Sequence, residues 1–187
     1  MIRRNFTFLN QDILLRLYIA FVRPHLEYAQ AVWSPTNQTL INKIEKVQER
    51  ALNLIPEIRS LSYSEQLSIT KLPTLVYRRL RGDMIDVYKH ISEEGGYDHA
   101  VFCESFEIKP RPQRLLHNFQ LRRIYDSSPL VARMFYSRVR EPWNNLPKSV
   151  ANSNNINSFK NKIDAHWIDL PIRTDHEAPP PYRIRQT

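Results

Sequence analysis

The stretch Leu17–Trp33, LYIAFVRPHLEYAQAVW, decides the fold that the sequence predicts. Arg23-Pro24 interrupts its apolar pattern, because a residue before proline is pushed out of the α region and proline suits the first turn of a new helix. We therefore expect a helix, a break, and a second helix that ends before Ser34-Pro35. The first helix should begin at Asn10 or Asp12, and its apolar residues recur at helical spacing: Leu14, Leu17, Tyr18 and Phe21.

The second predicted helix, from Leu26 to Trp33, is almost wholly apolar, with Glu27 and Gln30 as its only polar side chains. A helix that is apolar on all sides is usually buried. We therefore expect it in the middle of a helical core, with Trp33 buried. His25 and Glu27 do not suit an acid-base pair, since residues i and i+2 point to different faces of a helix.

Composition supports a mainly α fold. The 187 residues include 42% hydrophobic residues, 3 glycines and 13 prolines, which indicates helices separated by prolines. The fold class that we expect is a helical bundle, with a small β-hairpin between about 98 and 125 as an open alternative. The predicted helices lie near residues 39–55, 62–69, 72–91, 128–139 and 159–167.

The net charge of +8 favours a polyanionic partner, because clustered Lys and Arg release counterions from phosphate backbones. Cys103 is the one cysteine, which excludes an intrachain disulfide framework and a multi-cysteine zinc site. This usage suits an intracellular protein of the nucleus or cytoplasm. The start of the sequence has no apolar run typical of a signal peptide.

The predicted helix 39–55 carries a basic edge. Lys43, Lys46 and Arg50 fall on it at i, i+3 and i+7, while Glu45 and Glu49 hold the neighbouring edge. One interpretation is a solvated face of mixed charge, which is the ordinary condition of a helix surface. The other is a stripe that follows the phosphates of a nucleic acid.

The longest predicted helix, 72–91, has a buried stripe and an outer face. The buried stripe contains Val76, Leu80, Met84, Val87 and Ile91, and the outer face contains Arg78, Gly82, Ile85 and Lys89. Arg78, Arg79 and Arg81 point to different sides of a helix, so they cannot all serve one surface. We take Arg78 and Arg81, three residues apart, as the candidate nucleic-acid contacts.

After Gly95-Gly96 the helical period is lost. The segment from Asp98 to Tyr125 mixes basic and aromatic residues, namely Lys109, Arg111, Arg114, Arg122 and Arg123 with Phe106, Phe119 and Tyr125. Single-stranded nucleic acid is bound by such mixtures, since bases stack on rings and cations contact phosphates. A β-hairpin with one face on a core fits the same residues equally well.

Later in the chain, Ser128-Pro129 opens a helix that should present Arg133, Arg138 and Arg140 outward. Residues 142–147 should close it, with Trp143 as a plug over its end and Asn144 as a turn former. The last helix should use Asn157 or Ser158 as its cap. Its buried stripe is Phe159, Ile163 and Trp167.

Five blocks of the sequence carry a resemblance: VRPHLEYAQAVWSP, IEKVQERALNLIP, LPTLVYRRLRGDMIDVYKHI, FYSRVREPWNNLP and NSFKNKIDAHW. In this order and spacing, over roughly Ile13 to Trp167, the chain resembles the thumb and post-thumb region of reverse transcriptases from non-LTR (LINE-like) retrotransposons. The resemblance implies a part of an RNA-directed DNA polymerase that grips RNA, an RNA–DNA hybrid or DNA. The palm with its paired aspartates, which the resemblance implies for the parent protein, is not in this sequence.

Sites for chemistry are scarce in the sequence. No Asp-Asp pair is present to hold the metal ions of phosphoryl transfer. The six histidines form no HxxxH spacing, and glycine is too rare for a phosphate loop. We therefore expect no catalytic, metal or cofactor residues in this chain, and no membrane partner.

The sequence predicts four regions: a helical thumb-like region at 1–93, a basic and aromatic linker at 94–126, a helical region at 127–170, and a disordered tail at 171–187. The tail contains Pro179-Pro180-Pro181-Tyr182, a PPxY pattern that WW domains bind as polyproline II. A solvated terminus is the favoured interpretation of this tail.

Two classes of function stay open. In the first, the chain is a non-catalytic nucleic-acid-binding thumb region. In the second, it is a remnant of a mobile element that acts as a helical scaffold or protein-interaction module without binding nucleic acid.

Overall fold

The computed structural model of the protein describes residues 10–92, 119–121 and 135–179. These residues are mainly helical and include no strand, which confirms the predicted class. Apart from 119–121, the segment proposed as a hairpin lies outside them. The helices are α1 Gln11–Leu17, a π-helix Tyr18–Val22, α2 Arg23–Glu27, α3 Gln30–Trp33, α4 Gln38–Leu52, α5 Tyr63–Thr70, α6 Leu75–Ser92, α7 Phe135–Asn144, α8 Lys148–Ala151, α9 Ile156–His166 and a 3₁₀ turn Pro171–Arg173.

The chain divides into two compact units, and the division falls inside α6, between Arg79 and Leu80. Of the described residues, the first unit contains 10–79 and 171–178, and the second contains the others. The boundary predicted near residue 170 coincides with the change of unit between Leu170 and Pro171, whereas those near 93 and 126 have no counterpart in this division. The assignment of four regions stays a prediction. Changes of composition mark loops, whereas packing groups segments that are distant in the sequence.

In the first unit, the chain stays helical through Pro24. Asn10 caps α1, with its Oδ1 accepting from the N–H of Ile13 at 2.9 Å. Proline removes a helical hydrogen bond and its ring clashes with the carbonyl four residues earlier. The π-helix absorbs this defect with a wider turn, in which the N–H of Arg23 donates to the carbonyl of Tyr18. The predicted break at Arg23-Pro24 is therefore wrong.

The chain breaks instead between α2 and α3. Tyr28 has an extended ψ of 131°, and Ala29 is left-handed with a φ of 51°. This conformation is uncommon for a residue with a Cβ atom, and it ends α2 sharply. The second predicted helix is consequently two short helices joined by a tight turn.

The buried face of α4 is partly polar. Glu45, Gln48 and Leu52 are its buried residues. The apolar spacing of residues 39–55 predicts a different buried stripe, namely Leu40, Ile44, Val47, Ala51, Leu54 and Ile55. Of these, Ile55 is buried, whereas Leu40 and Leu54 are exposed, so the predicted stripe is only partly correct. The hydrophobic core of the first unit consists of Leu14, Tyr18, Leu52, Ile55, Ile58, Leu67 and Leu72.

Helix α5 begins at a complete capping box. Ser62 Oγ accepts from the N–H of Glu65, and the Glu65 carboxylate accepts from the N–H of Ser62 at 2.8 Å. This pairing satisfies donors that the first turn of a helix would otherwise leave open. The helix predicted near residues 62–69 is present, and of the two opening residues that the sequence allows, Ser62 and Ser64, the structure uses Ser62.

Residues 171–178 belong to the first unit and correct the prediction of a tail that is disordered from Pro171. Thr74 donates its N–H to the carbonyl of Arg173 at 2.8 Å and its hydroxyl to the carbonyl of Ile172 at 2.5 Å. Ile172 is buried. The Arg173 guanidinium also lies over the ring of Tyr77 at 5.3 Å, and the His176 ring meets Tyr63 edge-on at 5.8 Å. These contacts do not show as a periodic pattern in the sequence. Residues 180–187, which include the end of the PPxY pattern, lie outside the described residues.

In the second unit, α9 presents Phe159, Ile163 and Trp167 to the core, and all three are buried as predicted. The ring of Phe159 stacks on Tyr88 with centroids 4.4 Å apart. The cap of α9 is Asn155, whose Oδ1 accepts from the N–H of residue 158 at 2.8 Å. The predicted caps Asn157 and Ser158 lie inside the helix.

The end of α7 is fixed by Trp143 and Asn144. Trp143 is fully buried, and its indole N–H donates to the carbonyl of Phe119 at 2.7 Å. The Asn144 amide accepts from the N–H of Leu121 at 2.8 Å and donates to its carbonyl at 2.9 Å. The helix continues through Pro142 to Asn144, although residues 142–147 were predicted to close it.

Helix α6 follows the predicted pattern in part, since Val76 and Ile91 of the predicted buried stripe are only partly buried. Leu80, Met84 and Val87 are buried as expected, but Ile85, predicted on the outer face, is buried as well. None of the helices that the structure describes is long and apolar enough to cross a membrane.

Candidate nucleic-acid interface

The three basic residues predicted on α4 lie exposed on one edge of the helix. Lys43, Lys46 and Arg50 all have exposed side chains. Within the described part of the chain, none of them forms an ion pair with a carboxylate. Their nitrogens are therefore available to an anion from solution. We call these three residues the basic stripe.

Glu45, which the sequence places next to the basic stripe, points inward instead. Its carboxylate accepts from the N–H groups of Leu75 at 3.1 Å and Val76 at 2.7 Å, at the start of α6. It also accepts from the hydroxyl of Tyr63 at 2.8 Å. A carboxylate is stabilised at a helix N-terminus, where free N–H groups and the helix dipole favour negative charge. Of the predicted acidic pair, Glu49 remains at the surface.

A chain of hydrogen bonds explains why the polar face of α4 is buried. The Tyr18 hydroxyl donates to Gln48 Oε1 at 2.6 Å, and Gln48 Nε2 donates to the Tyr63 hydroxyl at 2.9 Å and to the carbonyl of Pro73 at 3.0 Å. Burial, followed by the nearby charge of Glu45, raises the pKa of Tyr18 and of Tyr63. Both phenols therefore stay protonated as donors. Buried polar groups are tolerated when their hydrogen bonds are made in this way.

Arg78, the first of the two arginines predicted on α6, is bound to a carboxylate of the same unit. Its Nη2 donates to Glu27 Oε2 at 3.0 Å, and its Nε contacts Glu27 Oε1. The Nε of Arg23 lies 3.6 Å from the same Glu27 oxygen. Burial and the neighbouring charge of Arg78 lower the pKa of Arg23. Two guanidinium groups thus share one carboxylate.

The second predicted arginine is also paired. Arg81 donates through Nε and Nη2 to the two oxygens of Asp164, at 2.5 and 2.7 Å. The structure therefore places Arg78 and Arg81 in bidentate ion pairs, whereas the basic stripe on α4 forms none with the residues that the structure describes. That Arg78 and Arg81 contact nucleic acid stays a prediction.

Arg138, predicted to point outward, is mostly buried in the second unit. Its Nε and Nη2 donate to the two carboxylate oxygens of Asp83, at 2.8 and 3.0 Å. Helical periodicity cannot predict this ion pair, because Asp83 lies 55 residues before Arg138 in the sequence. The remaining nucleic-acid candidates lie outside the described residues: Lys109, Arg111, Arg114, Arg122 and Arg123. Arg133, predicted to point outward, lies outside them as well.

The segment expected to be the most buried presents apolar residues to solvent. Tyr28 is 80% exposed, Val32 is 87% exposed and Trp33 is 38% exposed, whereas Gln30 is only 8% exposed. Gln30 Nε2 donates to the carbonyl of Arg79 at 3.1 Å, which holds its polar side chain inward. The prediction that Leu26–Trp33 forms a buried core helix is wrong.

A hydrogen bond fixes the indole of this segment. Trp33 Nε1 donates to the carbonyl of Tyr28 at 2.6 Å. The indole therefore lies against the turn between α2 and α3. We call Tyr28 and Trp33 the aromatic pair. The sequence predicts these two side chains as buried because they are apolar, and it does not show the hydrogen bonds that keep them at the surface.

Among the residues that the structure describes, no group of three or more His, Cys, Asp or Glu side chains is placed to hold a metal ion. Comparisons with protein-family models, with curated proteins and with solved structures find no significant match. The resemblance to non-LTR reverse transcriptases therefore stays a prediction that depends on the five quoted blocks.

Proposed function

We propose that the chain is a non-catalytic nucleic-acid-binding region that contacts phosphates through the basic stripe Lys43, Lys46 and Arg50. The observation that carries this proposal is the inward position of Glu45, which leaves the stripe exposed with Glu49 as the one acidic side chain of the predicted pair at the surface. The net charge of +8 and the resemblance to a polymerase thumb point to the same partner.

The dimensions of the stripe suit a phosphate backbone. Seven residues separate Lys43 from Arg50, which is about 10 Å along an α-helix. That length is close to the rise of three nucleotides in one strand of a duplex. Three cations at this spacing can each meet a phosphate of one strand, and such contacts carry no preference for sequence.

The test is a binding titration with structured RNA, an RNA–DNA hybrid and duplex DNA at several salt concentrations. We compare the parent with a triple variant of the stripe, Lys43→Gln, Lys46→Gln and Arg50→Gln. The slope of log affinity against log salt should flatten by roughly one unit per lost contact.

A matched control removes the same charge elsewhere. Lys148→Gln, Lys160→Gln and Lys162→Gln lie in the second unit and lower the net charge by the same amount. This variant should keep the parent's salt slope. Equal losses in both triple variants would show that only total charge matters, and parental binding by the stripe variant would show that the contacts lie elsewhere in the chain. A parent that binds none of the three nucleic acids would favour the scaffold or protein-interaction alternative.

The proposal includes no catalysis by this chain alone. Primer extension on an RNA template, with magnesium or manganese, should give no incorporation above a heat-inactivated control. Incorporation above that background would contradict the non-catalytic part of the proposal while leaving the stripe untouched.

A further inference from the structure

The aromatic pair, Tyr28 and Trp33, sits on a segment whose exposure is built into the fold. Three anchors hold the segment by its polar residues: the ion pair of Glu27 with Arg78, the bond from Gln30 to the carbonyl of Arg79, and the indole bond to the carbonyl of Tyr28. Because these bonds hold Glu27 and Gln30, the rings of Tyr28 and Trp33 stay on the solvent side of the segment. The exposed rings are therefore a fixed feature of the surface and do not depend on a frayed end.

Charge beside the aromatic pair indicates the chemistry of its partner. Glu27 directly precedes Tyr28, and its carboxylate is shared by Arg23 and Arg78. Two positive charges against one negative charge leave a positive surplus at the base of the rings. The 3.6 Å contact of Arg23 is the longer of the two pairings, so this guanidinium is the one that can turn to an external anion most easily.

We propose that Tyr28 and Trp33 stack on unpaired bases of an RNA or DNA strand, with Arg23 contacting the adjoining phosphate. The inference rests on the proposed function and adds a substrate class to it, namely single-stranded segments of RNA or DNA. Rings that offer a π-face with a cation beside them are the usual elements of single-strand binding. A duplex keeps its bases stacked inside, so it can use the basic stripe but not the aromatic pair.

The test compares a uridine RNA of about 12 nucleotides with a blunt duplex of the same length. Tyr28→Ala should weaken binding of the single strand by roughly tenfold, because stacking on one ring is worth about that factor. Binding of the duplex should change less than about twofold. Val32→Ala is the matched control, since it removes a more exposed side chain of the same segment that has no π-face.

Fluorescence gives a second measurement that does not depend on a loss of affinity. Of the three tryptophans, Trp143 and Trp167 are buried and Trp33 is partly exposed. Stacking of a base on Trp33 should quench part of the emission when the single strand is added. The Trp33→Phe variant should still bind, since it keeps a ring, but its emission should stay unchanged on binding.

The outcomes separate this inference from the proposed function. If Tyr28→Ala binds the single strand with the parent's affinity, stacking is refuted while the stripe proposal stands. The same holds if the substitution lowers the affinity for single strand and duplex by equal factors. If the parent binds neither nucleic acid, both fail. If Tyr28→Ala converts a dimer into a monomer in sedimentation equilibrium without changing RNA affinity, the aromatic pair is an interface between two copies of the chain, and the inference is overturned.

Discussion

The Oε1 atom of Glu45 accepts a hydrogen bond from the backbone N–H of Val76 at 2.7 Å. Glu45, a charged residue of α4, thereby caps the N-terminus of α6, which begins thirty residues later at Leu75. The same carboxylate takes the hydroxyl of Tyr63, so it joins three segments of the first unit. This contact determines both the packing of α4 and the charge of its outer face.

Glu45→Ala should lower the free energy of unfolding by about 2–4 kcal/mol, because buried donors on Leu75, Val76 and Tyr63 would lose a charged acceptor. Urea unfolding followed by circular dichroism measures this change. Glu49→Ala, on the same helix, should stay within about 0.5 kcal/mol of the parent. Equal effects of the two substitutions would contradict the inward position of Glu45.

Trp33→Ala should change the free energy of unfolding by less than about 1 kcal/mol, as expected for a partly exposed side chain. Trp143→Ala removes a fully buried indole and should cost about 3–5 kcal/mol. Thermal melting of the two variants measures the contrast. A Trp33→Ala protein that unfolds as readily as Trp143→Ala would restore the buried-helix prediction made from the sequence.

The two ion pairs of α6 in the second unit should differ in strength. Asp83 and Arg138 are nearly buried, so removing one partner should cost about 3–5 kcal/mol by leaving a charge without its counterion. Arg81 and Asp164 are more exposed, and breaking their pair should cost at most about 1 kcal/mol. Double-mutant cycles for each pair give the coupling energies, and a larger value for the second pair would contradict the burial of the first.

The capping box of α5 predicts an acid dependence of stability. Hydrogen bonds from the side chain and backbone of Ser62 lower the pKa of Glu65 below its ordinary value of 4.5. A carboxyl whose pKa is lower in the folded state stabilises the fold above the unfolded value, and this contribution is lost as the pH falls through the folded value. Melting temperatures of the parent and Glu65→Gln should therefore differ near neutral pH and converge in acid. A gap that persists below the folded pKa would show that charge is not its cause.

Much of the helical framework was predictable because it depends on local patterns. The cap at Asn10, the helix after Ser62 and the stripe of Phe159, Ile163 and Trp167 follow from short-range rules of spacing and capping. The π-helix before Pro24 was not predictable, since a proline after a helical run usually marks a boundary.

The candidate site was predicted only in part, because helical spacing shows which residues share an edge but not which edge is exposed. Spacing placed Lys43, Lys46 and Arg50 on one edge, and the structure shows all three exposed. Periodicity could not show that Glu45 turns inward, because its hydrogen-bond partners lie at least 18 residues away. The i, i+3, i+7 spacing shows that Glu45, Gln48 and Leu52 share one face of the helix, but not that this face is buried.

The attachment of residues 171–178 to the first unit has a consequence for synthesis of the chain. Thr74 meets Ile172 across 98 positions, so the first unit cannot complete its packing until nearly the whole of the described chain has left the ribosome. Contacts over such separations slow folding, since a large loop must close before they form.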